Sequence, residues 1–96
     1  MDFDLVEFGQ RIRKLRKMKD LSQEGLAEKL GVSHEHLNRI EKGKSGPSLD
    51  LIIELSCYFD VSIDYLVTGR DFRSMMAVKR LKAVMDELDS VIRDIE

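Results

Sequence analysis

Tryptophan is absent from this sequence, aromatic residues make up 6% of it, and proline occurs once. A core without large rings must be built from Leu, Ile, Val and Met. Few prolines and six glycines leave few enforced breaks, and over 96 residues, 35% of them charged, that composition favours a small all-helical protein with one core and one appended element. The lone Cys57 excludes an intramolecular disulfide framework and any CxxC site; it is expected as a small buried or half-buried hydrophobe rather than a nucleophile. No apolar run approaches the ~18 residues of a membrane span. No signal-peptide pattern opens the chain, so a reducing, cytoplasmic setting is expected.

A basic total is also missing: the net charge is −2. Divided along the chain, residues 1–9 carry −3, residues 10–46 carry +5 (ten Lys/Arg against five Asp/Glu), residues 47–70 carry −3 and residues 71–96 carry −1. Phosphate contact needs a localised basic face rather than a basic total. The same block also reads as an ordinary solvated helix surface.

No segment alternates with a strand's period of two. Asp4 can cap a first helix, with Glu7 as capping-box partner, and Leu5, Phe8, Ile12 and Leu15 recur at helical spacing. Arg11, Arg13, Lys14, Lys17 and Lys19 lie largely off that stripe, and Asp20 ends it. Ser22 caps a second helix, Gln23 to Leu30, closed by Gly31. Ser33 caps a third that ends before Gly43. After the loop SGPS (45–48), Ser48 caps a fourth ending near Phe59, where Asp60 takes the left-handed position. Ser62 caps a short fifth, closed by Gly69, and Phe72 to Ile95 reads as one long final helix.

The second and third helices, joined by a tight turn in L-A-E-K-L-G-V-S-x-x-x-L-x-x-I, make a helix-turn-helix. Ala27 is small enough for the two to cross closely, over Leu26, Leu30, Val32, Leu37 and Ile40. With R-I-R-x-L-R, L-S-Q, I-E-x-G and P-S-L around it, roughly residues 8–69 resemble the lambda-repressor-like (Xre-type) helix-turn-helix family. The resemblance implies an all-α fold: a five-helix DNA-binding domain, here residues 1–69, followed by a long C-terminal helix in residues 70–96 that lies outside the match. Gly25 departs from the family's frequent Glu; glycine costs ~1 kcal/mol in a helix interior and loses a capping box with Ser22.

The stretch SHEHLNRIEKGK (33–44) holds the sharpest functional question. At ~100° per residue, Leu37 and Ile40 define the buried face of the third helix, and Glu35, Asn38, Arg39 and Lys42 lie opposite. His34 and His36 fall on the two flanks, about 160° apart. Chelation from one helix needs histidines at i,i+4, so neither a metal nor a cofactor is expected. No nucleophile accompanies them, and an enzyme reading has no support. The outward face instead offers donors and acceptors suited to base edges. The resemblance implies base contacts for His34, Glu35, Asn38 and Arg39, with Arg39 matched to guanine, Asn38 to adenine and Glu35 to a cytosine amino group. It implies phosphate contacts for Gln23, Lys42, Lys44, Ser45 and Gly46. Glu35 and Arg39 would equally satisfy each other as an i,i+4 ion pair. Arg16 and Glu41 are implied as a structural salt bridge between the first and third helices.

In the final helix Val78, Leu81, Met85, Leu88, Ile92 and Ile95 run at heptad spacing, widened by Ala77, Val84 and Val91. This stripe either folds back on its own domain or forms a dimer interface through Val78, Leu81, Met85, Leu88 and Ile92. The row Leu51, Leu55, Tyr58 on the fourth helix is an expected seat for it. The resulting expectation is a sequence-specific regulator that binds double-stranded DNA, a homodimeric repressor on a pseudo-palindromic operator. The alternative is an antitoxin or adaptor whose C-terminal helix binds a partner protein. No membrane association is expected.

Overall fold

The structure, a computed structural model, describes residues 3–70 and 72–96, with side chains for all of these except 72–75. The described residues form six helices: α1 (Leu5–Met18), α2 (Gln23–Leu30), α3 (His34–Glu41), α4 (Leu49–Phe59), α5 (Ile63–Thr68) and α6 (Phe72–Ile95). Among the described residues there is no strand. Each of the first five begins where a short polar side chain satisfies an orphan amide. Asp4 Oδ1 accepts from the Glu7 N–H at 3.0 Å. Ser22, Ser33, Ser48 and Ser62 accept from Gly25, His36, Leu51 and Tyr65 at 2.9, 3.0, 3.1 and 2.9 Å. Such a cap contributes about 1 kcal/mol.

Helices this short are marginal alone and depend on the face they bury. That face is shared: Phe8 and Ile12 of α1, Leu26, Ala27 and Leu30 of α2, Leu37 and Ile40 of α3, Leu51, Leu55 and Phe59 of α4, and Leu66 of α5 form one core. Arg11 of α1 and Lys19, which caps its C-terminal end, tie distant helix ends to it. Arg11 donates from Nε and Nη2 to the Leu66 and Val67 carbonyls at 2.8 and 3.0 Å. Lys19 donates to the Tyr58 carbonyl at 3.0 Å, with Nζ 4.5 Å from the Tyr58 ring centroid. Carbonyls of a last helical turn lack intrahelical partners, so a cation there is favoured by hydrogen bond and dipole together. These two members of the basic block are therefore structural.

Two expectations are corrected. Leu51 and Leu55 are core residues, 5% and 0% exposed, so the row with Tyr58 is no free seat for another helix. Cys57 is exposed, because the outward row of α4 is Leu49, Ile53 and Cys57, four residues apart. Of the two alternatives open for the final helix, folding back is not the one found: every side chain of α6 from Met76 on is exposed.

The α1–α3 crossing rests on a contact the sequence pattern conceals. A Cβ on Gly9 would stand 2.4 Å from the Ile40 carbonyl oxygen and 2.5 Å from that of Glu41, both backbone atoms. Only a missing side chain lets the end of α3 lie this close to α1. Gly9→Ala should therefore destabilise the fold by about 1–3 kcal/mol or more, as overpacking does, read as a lower urea midpoint. Gly31, at φ 70°, has open space around its would-be Cβ, so Gly31→Ala should cost only the left-handed backbone penalty of about 1–2 kcal/mol. A Gly9→Ala protein as stable as the parent would refute the close crossing.

Candidate nucleic-acid interface

The turn between α2 and α3 is closed by backbone bonds from Gly31 to the Glu28 carbonyl (3.2 Å) and from Val32 to the Ala27 carbonyl (3.0 Å). A polar centre joins the last turns of α1 and α3. Arg16 Nε meets Glu41 Oε2 at 2.8 Å and Nη2 meets Oε1 at 3.0 Å, while Nη1 donates to the Leu21 carbonyl at 2.8 Å. Both residues are buried, and no buried side-chain polar atom among the described residues lacks a partner. A bidentate pair with its remaining valences used is the arrangement that lets two charges leave water.

This centre reaches the surface through Gln23. Its Nε2 donates to Glu41 Oε1 at 3.1 Å, and its Oε1 faces His34 Nε2 at 3.0 Å and accepts from Asn38 Nδ2 at 3.0 Å. Glu41, ionised, can only accept, so the Gln23 amide has one orientation, and that orientation makes Oε1 an acceptor. Asn38 must then turn its nitrogen inward, leaving Oδ1 and one N–H free of this contact, and a hydrogen on His34 Nε2 would donate to the same oxygen. The other ring nitrogen of His34 stands 3.7 Å from Glu24 Oε1.

The outer rim is held separately. Arg39 Nε donates to Ser45 Oγ at 3.0 Å, and the amides of Lys44 and Ser45 reach back to the Arg39 carbonyl at 2.9 and 3.4 Å. Arg39 is thus fastened to the loop after α3, and among the described ion pairs none joins it to Glu35. Glu35, Arg39, Lys42, Lys44 and Gly46 are exposed; Gln23, Asn38 and Ser45 are half-buried. The candidate residues thus form one continuous surface, from the N-terminal turn of α3 along its outward side to the loop. The roles of Gln23 as relay and Ser45 as anchor for Arg39 were not legible in the sequence, since nothing in a helical pattern marks hydrogen bonds between elements. Among the described residues no group of three or more His, Cys, Asp or Glu is placed to hold a metal, and no helix is long and apolar enough to cross a membrane.

The helix-turn-helix family model HTH_3 matches residues 12–66. The uncharacterized HTH-type transcriptional regulator YqaE of Bacillus subtilis is 33% identical over 89 residues, 93% of this chain and 70% of its own length. Across other curated relatives the chain spans from 32% to 92% of their length. Among solved structures, the P22 c2 repressor in complex with a synthetic operator has a TM-score of 0.62 at 32% identity, covering 66% of this chain and 96% of that one. The biofilm master regulator SinR in complex with DNA has a TM-score of 0.57 at 40% identity, covering 62% and 95%.

The buried pair yields a test in the absence of DNA. Glu41→Ala should destabilise the protein by about 3–5 kcal/mol, because it leaves Arg16 charged, buried and unpaired. Arg16→Met combined with Glu41→Leu should recover much of that loss in a urea titration. Equal losses in the single and double variants would show that the apolar replacements fail to fill the site.

Proposed function

The chain belongs to the helix-turn-helix family of transcriptional regulators, and we propose that it is a sequence-specific DNA-binding regulator, acting as a homodimeric repressor on a pseudo-palindromic operator. The observation that carries this reading is the outward side of α3, where His34, Glu35, Asn38 and Arg39 present mixed donors and acceptors beside the exposed cations Lys42 and Lys44. An α-helix fits the major groove, and such side chains match base edges there. His34, Glu35, Asn38 and Arg39 read bases. Gln23, Lys42, Lys44, Ser45 and Gly46 meet phosphates at the two margins. The P22 c2 repressor in complex with an operator and SinR in complex with DNA support DNA as the ligand of this chain.

Arg39 approaches its base already held by Ser45, so less side-chain entropy is lost on binding. Dimerisation through Val78, Leu81, Met85, Leu88 and Ile92 supplies the second reading helix, about one DNA turn (~34 Å) from the first. A second reading, an antitoxin or adaptor that captures an unrelated protein through α6, is favoured by the same exposed face. Operator binding by the chain alone supports the first reading; co-purification with another chain through residues 72–96 supports the second.

Two substitutions separate the roles. Lys44→Ala should weaken operator and random DNA alike and flatten the slope of log K against log[salt] by about 0.9, one phosphate contact. Arg39→Ala should cost ~1–3 kcal/mol on the operator and relax preference at one position per half-site. An operator-selective loss for Lys44→Ala, or unchanged site selection for Arg39→Ala, would overturn these assignments.

A chelator should change neither binding nor melting; a loss of either would bring a metal back into the account. A chain cut after Arg70 keeps the five-helix core. It should fold, sediment as a monomer and bind the operator weakly, whereas a dimer surviving the cut would place the interface elsewhere.

A further inference from the structure

Eight apolar side chains of α6 are at least half exposed: Val78, Leu81, Val84, Met85, Leu88, Val91, Ile92 and Ile95. Their arrangement specifies how a partner lies against them. With Val78, Met85 and Ile92 at heptad position a and Leu81, Leu88 and Ile95 at d, the two flanks of the seam differ completely. Position g holds Ala77, Val84 and Val91; position e holds Lys82, Asp89 and Glu96 wherever its side chain is described. In a parallel pair each g faces the partner's e, which would set valines against charges along both flanks. Reversing one helix brings g to g and e to e. One flank then becomes apolar throughout and the other becomes ionic.

Charge along the axis points the same way. Residues 72–85 carry four cations and no acid, and residues 86–96 carry five acids and one cation. Side by side in one direction, like charges would line up along the whole length. Opposed, each basic half meets an acidic half, which also offsets a charge order unfavourable to the helix dipole.

We infer that two copies of this chain pair through α6 as an antiparallel two-stranded coil whose two-fold axis passes between residues 86 and 87. The inference rests on the dimer reading above and supplies its geometry. This register pairs every a with a d: Val78 with the partner's Ile95, Leu81 with the partner's Ile92, Met85 with the partner's Leu88. It sets Lys82 beside the partner's Asp89 on one flank and Val84 beside the partner's Val91 on the other.

The axis falls within one residue of the point where the helix changes sign. At about 1.5 Å per residue the two α6 N-termini stand about 44 Å apart, so the domains hang at opposite ends. That spacing is on the scale of one DNA turn. A parallel pair would instead start both domains about 10 Å apart.

The test uses full-length chains carrying Cys57→Ser, since the native thiol is exposed. Chains with Leu81→Cys and chains with Ile92→Cys, mixed and oxidised, should cross-link to each other. Leu81→Cys alone should not self-link, because the two sites lie about 16 Å apart along the axis, beyond the ~7 Å that a disulfide spans. Lys82→Glu should weaken the dimer about tenfold by sedimentation equilibrium, and Lys82→Glu with Asp89→Lys should restore it. Self-linking of Leu81→Cys, or no recovery in the charge swap, would overturn the antiparallel register while leaving dimerisation intact. A full-length chain that is monomeric at micromolar concentration would overturn dimerisation itself.

Discussion

One ion pair, Arg16 with Glu41, holds the first helix to the last turn of α3, the helix of the proposed reading surface. Removing a guanidinium and a carboxylate from water is costly, and their mutual attraction seldom does more than balance that cost. What such a pair contributes is position. Its two parallel contacts fix the angle between α1 and α3, the third guanidinium contact fixes the chain leaving α1, and the remaining carboxylate valence fixes Gln23. The bare backbone of Gly9 lets α1 and α3 come close enough for these bonds to form. Hydrophobic burial drives the collapse; this polar centre selects which collapsed arrangement persists.

The legible part of the fold was written in local chemistry. Serine and aspartate caps, left-handed residues at helix ends and apolar spacing of 3.6 fixed six helices and the crossing of α2 with α3. Where a helix carries two apolar rows, spacing alone does not say which is inward. α4 is such a case, and the row of Leu51 and Leu55 faces the core while that of Leu49, Ile53 and Cys57 faces out. Gly9 looks like a weakness in α1 until the neighbouring carbonyls are in place. Arg11 and Lys19 look like surface cations until the carbonyls they satisfy, far along the chain, come into view. Each of these depends on where another element lies, and a one-dimensional pattern does not hold that information.

The surface of α3 gains its chemical polarity from the interior. A carboxylate that can only accept dictates the direction of the Gln23 amide, and through it which atoms of His34 and Asn38 point outward. The proposed reading edge is therefore oriented by the fold itself. On the proposed reading, a change at Glu41 would act on base preference as well as on stability, although Glu41 itself is buried.

The open apolar seam of α6 contrasts with the closed bundle and, as the proposed dimer interface, would give the molecule a sense of its own abundance. In the proposed dimer nothing but this seam joins the copies, so below the dimer's dissociation constant the active species rises with the square of chain concentration. DNA enters the same equilibrium: two half-sites on one duplex hold two chains at a high effective concentration and draw the seam together. The response then has a threshold. A modest fall in supply or rise in turnover would clear the operator far more sharply than a monomer of equal affinity would permit.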